Sequence, residues 1–172
     1  MKTAVCFDTV PSPLGPLLLA TDGVALTGAW FDGQRYPPPM DTTWTRRPDA
    51  TVLRRAAVEL AEYFAGRRTR FELLLAPYGT PFQQAVWEAI AAVPYGETIA
   101  YRELAARVGR PTSIRAAGAA TGRNPLSIVI PCHRIVGADG ALTGYAGGLP
   151  RKRALLALEC AGMDPVSIRR AA

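Results

Sequence analysis

Residues 99–121 read IAYRELAARVGRPTSIRAAGAAT, and the fold turns on this stretch. A helix is predicted from about Ile99 to Val108, closed by Gly109 and then Pro111, residues that favour a helix end. Thr112 or Ser113 stands where a cap belongs, and a second helix is expected from there to about Thr121. Two short helices joined by a tight glycine-containing turn make a helix-turn-helix pattern, which also occurs in all-helical domains that bind nothing. In the second helix, five of the nine residues from Ser113 to Thr121 are alanine or glycine. Two readings fit that composition. Small residues let helices pack closely, and a slim helix carrying one long cation, Arg115, fits the narrow minor groove of DNA.

Working upstream, Phe82, Val86, Ile90 and Val93 recur at helical spacing after Thr80 or Pro81, and Pro94-Tyr95-Gly96 ends that helix. The pattern changes around Ala76-Pro77-Tyr78-Gly79, so the boundary is placed there, dividing the chain into residues 1–77 and 78–172. In the first part, Leu14 to Ala20 and Val24 to Phe31 read as strands around the turn signal Asp22-Gly23. Gln34 to Pro48 reads as a loop. A helix is expected from about Asp49 to Ala65, with Asp49 as its cap, Leu53, Ala57, Leu60 and Phe64 on one face, and Gly66 as its stop. The first part is therefore a small α+β unit.

Downstream, Ile128-Val129-Ile130 is expected to be a short buried strand delivering the chain to Pro131-Cys132-His133-Arg134. A lone cysteine is commonly a buried, inert thiol. Here the next residue is the only histidine in the chain, and an arginine follows; both favour the reactive thiolate. A helix from about Arg151 to Cys160 puts Leu155, Leu156 and Glu159 on one face. A carboxylate on an apolar face must find a partner. Either His133 takes that place, giving a Cys–His–Glu relay, or Arg151 or Arg153 does. Gly144-Tyr145-Ala146-Gly147-Gly148 lacks the spacing of a phosphate-binding loop and reads instead as backbone closing around a flat ligand, with Tyr145 as a stacking face. Asn124-Pro125 is ordinary turn chemistry or a side-chain tie within the site. Cys160 reads as a buried apolar residue.

The bulk composition narrows the class. The chain has 172 residues, is 49% hydrophobic and 20% charged, and carries a net charge of +6. That balance is globular rather than disordered. Residues 1–77 hold nine Lys and Arg against eight Asp and Glu, and residues 78–172 hold eleven against six. Basic charge gathered in the second part suits phosphate contacts, and equally a solvated basic face. Three widely spaced cysteines and one histidine give neither a disulfide framework nor four zinc ligands, so no metal and no cofactor are expected. No apolar run approaches the roughly 20 residues that cross a bilayer. Asp8 and the prolines interrupt any signal-peptide core, which gives an intracellular, cytoplasmic reading.

Taken together, these residues resemble the O6-alkylguanine-DNA alkyltransferases, the methylated-DNA–protein-cysteine methyltransferases. The likeness covers Ile-Pro-Cys-His-Arg-Ile-Val at 130–136, Arg-Asn-Pro at 123–125, Thr-Gly-Tyr-Ala-Gly-Gly at 143–148 and Arg-Lys-Arg-Ala-Leu-Leu-Ala-Leu-Glu at 151–159. It also includes Thr-Pro-Phe-Gln-Gln-Ala-Val-Trp at 80–87, Pro-Tyr-Gly-Glu-Thr at 94–98 and Ser-Pro-Leu-Gly-Pro at 12–16. The resemblance implies an α+β chain, with an N-terminal ribonuclease-H-like α/β domain followed by a C-terminal winged helix-turn-helix domain. It implies direct-reversal DNA repair: irreversible, single-turnover transfer of an alkyl group from O6-alkylguanine to Cys132, with O4-alkylthymine left open as a further substrate.

By the same resemblance, His133 takes the thiol proton through a water, Glu159 holds His133, Asn124 ties the Tyr101 and Cys132 segments together, and the Tyr101 hydroxyl neutralises the leaving base. Arg115 replaces the extruded nucleotide, on a DNA-facing surface with Ser113, Ala116, Thr121 and Arg123. Tyr145, Gly147 and the backbone of Ala146 and Ile135 surround the base. The implied partner is duplex DNA, entered through the minor groove with the alkylated guanine flipped out. A monomer in solution that assembles cooperatively on DNA, nucleoid-associated when bound and away from membranes, completes the expectation. Gly122-Arg123 stands where some relatives have arginine then glycine, and Ala146 where some have serine. The competing readings are a non-catalytic binder of alkylated DNA, a cysteine hydrolase, and a plain helix-turn-helix protein.

Overall fold

The apolar runs on either side of Asp22-Gly23 become two antiparallel strands, Leu17–Thr21 (β2) and Leu26–Phe31 (β3). Between them the Asp22 carboxylate accepts hydrogen bonds from the Val24 and Ala25 amides at 2.9 and 2.8 Å. Gly23 takes the positive φ of +96° that this turn needs. The computed structural model describes residues 4–38 and 40–162, so the ends of the two expected domains, 1–3 and 163–172, lie outside the described residues.

A further strand, Cys6–Val10 (β1), which the sequence reading passed over, pairs antiparallel with β2. It also pairs in parallel with Thr45–Arg46 (β4), a two-residue strand inside the segment expected to be all loop. The sheet order is β3-β2-β1-β4. The first helix, Thr51–Phe64 (α1), buries Leu53, Ala56, Leu60 and Tyr63 against it. Asp49 is not its cap: Ala50 holds that position without a side-chain bond, and Asp49 is engaged by Arg47.

Every residue of β3 is buried, because this strand has no free edge. Residues 74–76 bond to it on one stretch, with the Leu26 amide donating to Leu74 O at 2.8 Å and the Ala76 amide to Leu26 O at 3.0 Å. Farther along, the Ala29 amide donates to Pro125 O at 2.8 Å and the Ser127 amide to Ala29 O at 2.9 Å. The segment leading to Cys132 is thus mounted on the sheet of the first half.

The second half is helical: Pro81–Ala91 (α2), Tyr101–Arg107 (α3), Ile114–Gly122 (α4) and Leu149–Ala161 (α5). Thr80 and Gln83 close a capping box on α2. Ala117 and Ala120 of α4 pack against α2, where Trp87 Nε1 donates to Ala120 O at 2.8 Å. Ser113 sits at the cap position of α4, but its side chain makes no capping bond. Ile99–Ala100 (β5) pairs in parallel with Ile135–Val136 (β6). Each fully buried leucine of the shared core, such as Leu19, Leu104 or Leu155, contributes about 1.5–3 kcal/mol.

Ile128-Val129-Ile130 is not a strand. The three residues are buried in a turn, and Ile128 holds φ at +73°, a region β-branched side chains rarely enter. The β-branched run signalled burial correctly and geometry wrongly. Ser127 is fixed to β3 while Pro131 opens the Cys132 turn, so the chain must reverse between them, and Ile128 carries the strain. No helix of the described residues is long and apolar enough to cross a membrane.

Candidate active site

Cys132, His133 and Arg134 form one short 3-10 turn leading directly into β6. Because β6 pairs with β5, that turn lies beside the start of α3, where Tyr101 stands. His133 is fully buried, and its Nε2 meets Glu159 Oε1 of α5 at 2.7 Å. The carboxylate gathers several more donors. Arg134 Nε reaches Oε2 at 2.9 Å and its Nη2 reaches Oε1 at 3.0 Å. Tyr63 Oη donates to Oε1 at 2.7 Å, and the Gly96 amide to Oε2 at 3.2 Å. Burial alone would raise the pKa of Glu159, but the bonds from His133 and Arg134 outweigh it and bring the value down to about 2. Glu159 is therefore an anion at neutral pH and accepts from every neighbour.

That fixes the imidazole. With Nε2–H donating to an anion, the lone pair of the neutral ring is on Nδ1. Burial lowers the pKa of His133, and the Glu159 bond opposes it only in part, so the ring is neutral at pH 7. Nδ1 has no protein partner among the described residues, which leaves it available as a base. The Cys132 thiol is pushed up by burial, with the Asn124 bond and the Lys152 charge pulling the other way. A thiol held protonated needs a base in order to react, and His133, the next residue in the chain, has a nitrogen free to be one.

Asn124 is buried, and its Nδ2 reaches Ile130 O at 2.8 Å and Cys132 Sγ at 3.1 Å. It does not bridge to Tyr101, as the resemblance implied: the Tyr101 hydroxyl meets Thr143 O and Gly144 O at 3.4 and 3.2 Å. Those same carbonyls, with Ile135 O, take the ammonium of Lys152. Lys152 is fully buried, and desolvation brings its pKa down to about 8.

A cavity of about 180 Å³ opens beside the sulfur, lined by Cys132, Tyr101, Tyr145 and Ala146 with Gly118 and Thr121 of α4. Ile135 and Gly147, expected in its wall, are buried behind it, Ile135 O being taken by Lys152. Arg115 and Ala116 are exposed on α4, opposite its packed face, so the alanine-rich composition serves packing and leaves a slim exposed side together. Thr121 is turned inward, its hydroxyl on Ala117 O at 2.8 Å. Arg123 is exposed and lies over the Tyr36 ring at 3.9 Å. Ser113 is half-buried. Cys160 is exposed, not buried as expected, because it falls on the outer side of α5 from Leu155 and Glu159.

The Glu159 alternatives resolve on His133 together with an arginine, but that arginine is Arg134. Arg151 instead spans to Leu14 O and Asp32 O of the first half. Sequence reasoning also missed Tyr63, whose place on the apolar face of α1 was the available signal, since a buried hydroxyl needs a partner.

Fold and site together define a two-part α+β protein with a buried cysteine next to a His–Glu pair in the chain, carried on a helix-turn-helix type of domain. Residues 5–77 match the family model described as the 6-O-methylguanine DNA methyltransferase ribonuclease-like domain, and residues 81–161 match its DNA-binding domain. The chain is 49% identical over 153 residues to a methylated-DNA–protein-cysteine methyltransferase of Mycobacterium tuberculosis, covering 89% of this chain and 91% of that one. A namesake from Methanosarcina barkeri is 44% identical, over 89% of this chain and 96% of its own. The structure of Mycobacterium tuberculosis OGT in complex with DNA superposes with a TM-score of 0.85 at 46% identity, covering 93% and 96% of the two chains. The chain belongs to the 6-O-methylguanine DNA methyltransferase family, and its fold is the α+β pair of ribonuclease-like and DNA-binding domains that the sequence implied.

Proposed function

We propose that Cys132 is the alkyl acceptor of this methyltransferase and that His133, Glu159, Asn124 and Tyr101 assist it. The activity is direct-reversal repair of O6-methylguanine in DNA, in a single turnover. A water between Sγ and Nδ1 carries the thiol proton to His133, and Glu159 stabilises the imidazolium. The sulfur lone pair then attacks the alkyl carbon in line, the carbon–O6 bond breaks, and its electron pair leaves on the purine. The Tyr101 hydroxyl stabilises the departing anion. A thioether remains on Cys132. Carbon–sulfur cleavage from it has no good leaving group, so the protein is consumed. The observation that supports this reading most directly is the 2.7 Å His133–Glu159 bond, which leaves the Nδ1 lone pair free on the residue that follows Cys132, itself a lining residue of the pocket.

DNA is the partner. In our reading α4 enters the minor groove and the damaged guanine swings out, because O6 in a stacked pair is out of reach. Arg115 takes the vacated place, with Ser113, Ala116 and Arg123 towards the backbone. The Ala146 amide meets O6, and Tyr145 walls the base. We divide the chain between residues 77 and 78: Leu75 is bridged to β3, and Pro81 opens α2. The protein binds as a monomer, assembles cooperatively on longer DNA, and works in the cytoplasm at the nucleoid.

Mixing the protein with a duplex carrying O6-methylguanine and weighing it tests the assignment. One methylene of added mass, confined to Cys132 and stopping at one equivalent, supports it. Multiple turnovers, or transfer that persists in Cys132→Ser, overturns it.

A further inference from the structure

Two residues of the first half reach the pocket. Arg35 and Tyr36 line it opposite the residues supplied by the second half. Their position is held from several sides. The Arg35 amide donates to Ala146 O at 2.9 Å, which pins this segment to the loop that carries Tyr145. Gln34 is buried; its Nε2 donates to Tyr36 O at 3.2 Å, while its Oε1 accepts from the Phe31 amide at 2.9 Å and from Ser127 Oγ at 3.3 Å. The Tyr36 ring itself is clasped by guanidinium groups, with Arg123 at 3.9 Å and Arg35 at 5.4 Å from its centroid.

The α4 helix lies against this ring. A Cβ on Gly122 would touch Tyr36 Cε2 at 3.7 Å, and one on Gly118 would touch Tyr101 Cδ1 at 3.7 Å. Gly118 and Gly122 are one helical turn apart, so they present neighbouring bare patches on one side of the helix. One tyrosine from each half of the chain rests on that side, and both rings line the same cavity. Tyr101 belongs to the proposed chemistry. Tyr36 has no part in the relay; its ring is half-buried beneath Arg123 and its backbone carbonyl is bonded by Gln34.

From this geometry we infer that Tyr36 is a specificity-determining residue, which sets the upper size of the alkyl group the site accepts; the inference rests on the alkyl-transfer reading above. A ring covered by Arg123, on a segment whose Tyr36 carbonyl is bonded by Gln34, is a wall that a bulky adduct must displace, whereas a methyl group need not reach it. The first half of the chain thereby selects substrate as well as supporting the fold.

The test compares transfer rates from two duplexes of one sequence, carrying O6-methylguanine or O6-benzylguanine. Tyr36→Ala is expected to raise the benzyl-to-methyl rate ratio at least tenfold. Tyr36→Phe, which keeps the ring, is expected to hold the ratio within about twofold of the parent. A ratio unmoved in Tyr36→Ala, or equal losses on both substrates in a variant that still melts cooperatively, overturns the inference. If the parent protein transfers neither group, the alkyl-transfer reading has failed instead.

Discussion

Tyr63 of α1 donates its hydroxyl proton to Glu159 Oε1 across 2.7 Å, a bond between residues 96 positions apart that joins the two halves of the chain at the carboxylate holding His133. A neutral donor withdraws charge from the face of the carboxylate that His133 uses. Removing it strengthens the hold of Glu159 on an imidazolium and raises the basicity of the ring. Tyr63→Phe should therefore move the ascending limb of the pH–rate profile, measured by single-turnover transfer, to higher pH. The parent limb should lie below pH 6.5, since burial lowers the pKa of His133. Loss of a hydrogen bond to a buried charge should also lower stability by about 1.5–3 kcal/mol in urea melts. A profile that does not move would leave Tyr63 with a packing role alone.

Glu159 itself links stability to acid. Its folded pKa of about 2 lies below the value of 4.5 for a free side chain, so the folded state binds its proton less readily than the unfolded chain. The stabilisation is fully present above pH 4.5 and is lost as pH falls towards 2. Its size is on the order of a few kcal/mol. Glu159→Gln removes this dependence, so urea midpoints of the variant should fall less steeply between pH 5 and pH 3. Alkyl transfer at neutral pH should drop by roughly 10²–10⁴-fold, the usual span for losing proton-transfer assistance. Transfer within a few-fold of the parent would mean that His133 works without its carboxylate.

Much of this was readable in the chain because local signals and global fold agree. Thr80-Pro81 gave the start of α2, and Gly109 with Pro111 gave the end of α3. The apolar face of α5 demanded a partner for Glu159, and His133 supplied one. What escaped depended on distant segments. β1 forms against β2, and β4 against β1, and neither carries a strong strand pattern. Ile128 has strand propensity but is forced into a turn by anchors on both sides, Ser127 on β3 and Cys132 on its own turn. Nothing near Tyr36 in the sequence reports a pocket formed with residues some hundred positions away.

Lys152 gives a third dependence, at the alkaline end. Its ammonium is buried among carbonyls, and its pKa of about 8 lies below the ordinary 10.5. Between those values the unfolded chain holds more protons, so this group makes stability rise with pH from about 8 to 10. The Cys132 thiol, raised by burial, acts in the opposite direction near pH 9 in both proteins, and Tyr63, Tyr101 and Tyr145, also raised by burial, do so only above pH 10. Unfolding free energies from urea melts at pH 8 and pH 9.5 should differ in the parent by about 1–2 kcal/mol more than in Lys152→Met. The variant should also react more slowly with iodoacetamide at Cys132, having lost the charge that favours the thiolate. Equal slopes in the two proteins would mean that the ammonium does not meet its burial penalty.

Arg115 tests the DNA-facing side independently of the chemistry. Its side chain is exposed on α4 and makes no bond to the relay, so truncating it should leave the sulfur, imidazole and carboxylate as they are. An extruded nucleotide leaves a gap in the stack, and a long cation filling that gap offsets part of the few kcal/mol lost in unstacking. A free alkylated base needs no extrusion. Arg115→Ala should therefore slow transfer from duplex O6-methylguanine at least tenfold, while reaction with free O6-methylguanine stays within about twofold of the parent. The contrast is read from two single-turnover series on one preparation. Parallel losses on duplex and free base would place the effect in the pocket and leave the extrusion reading without support.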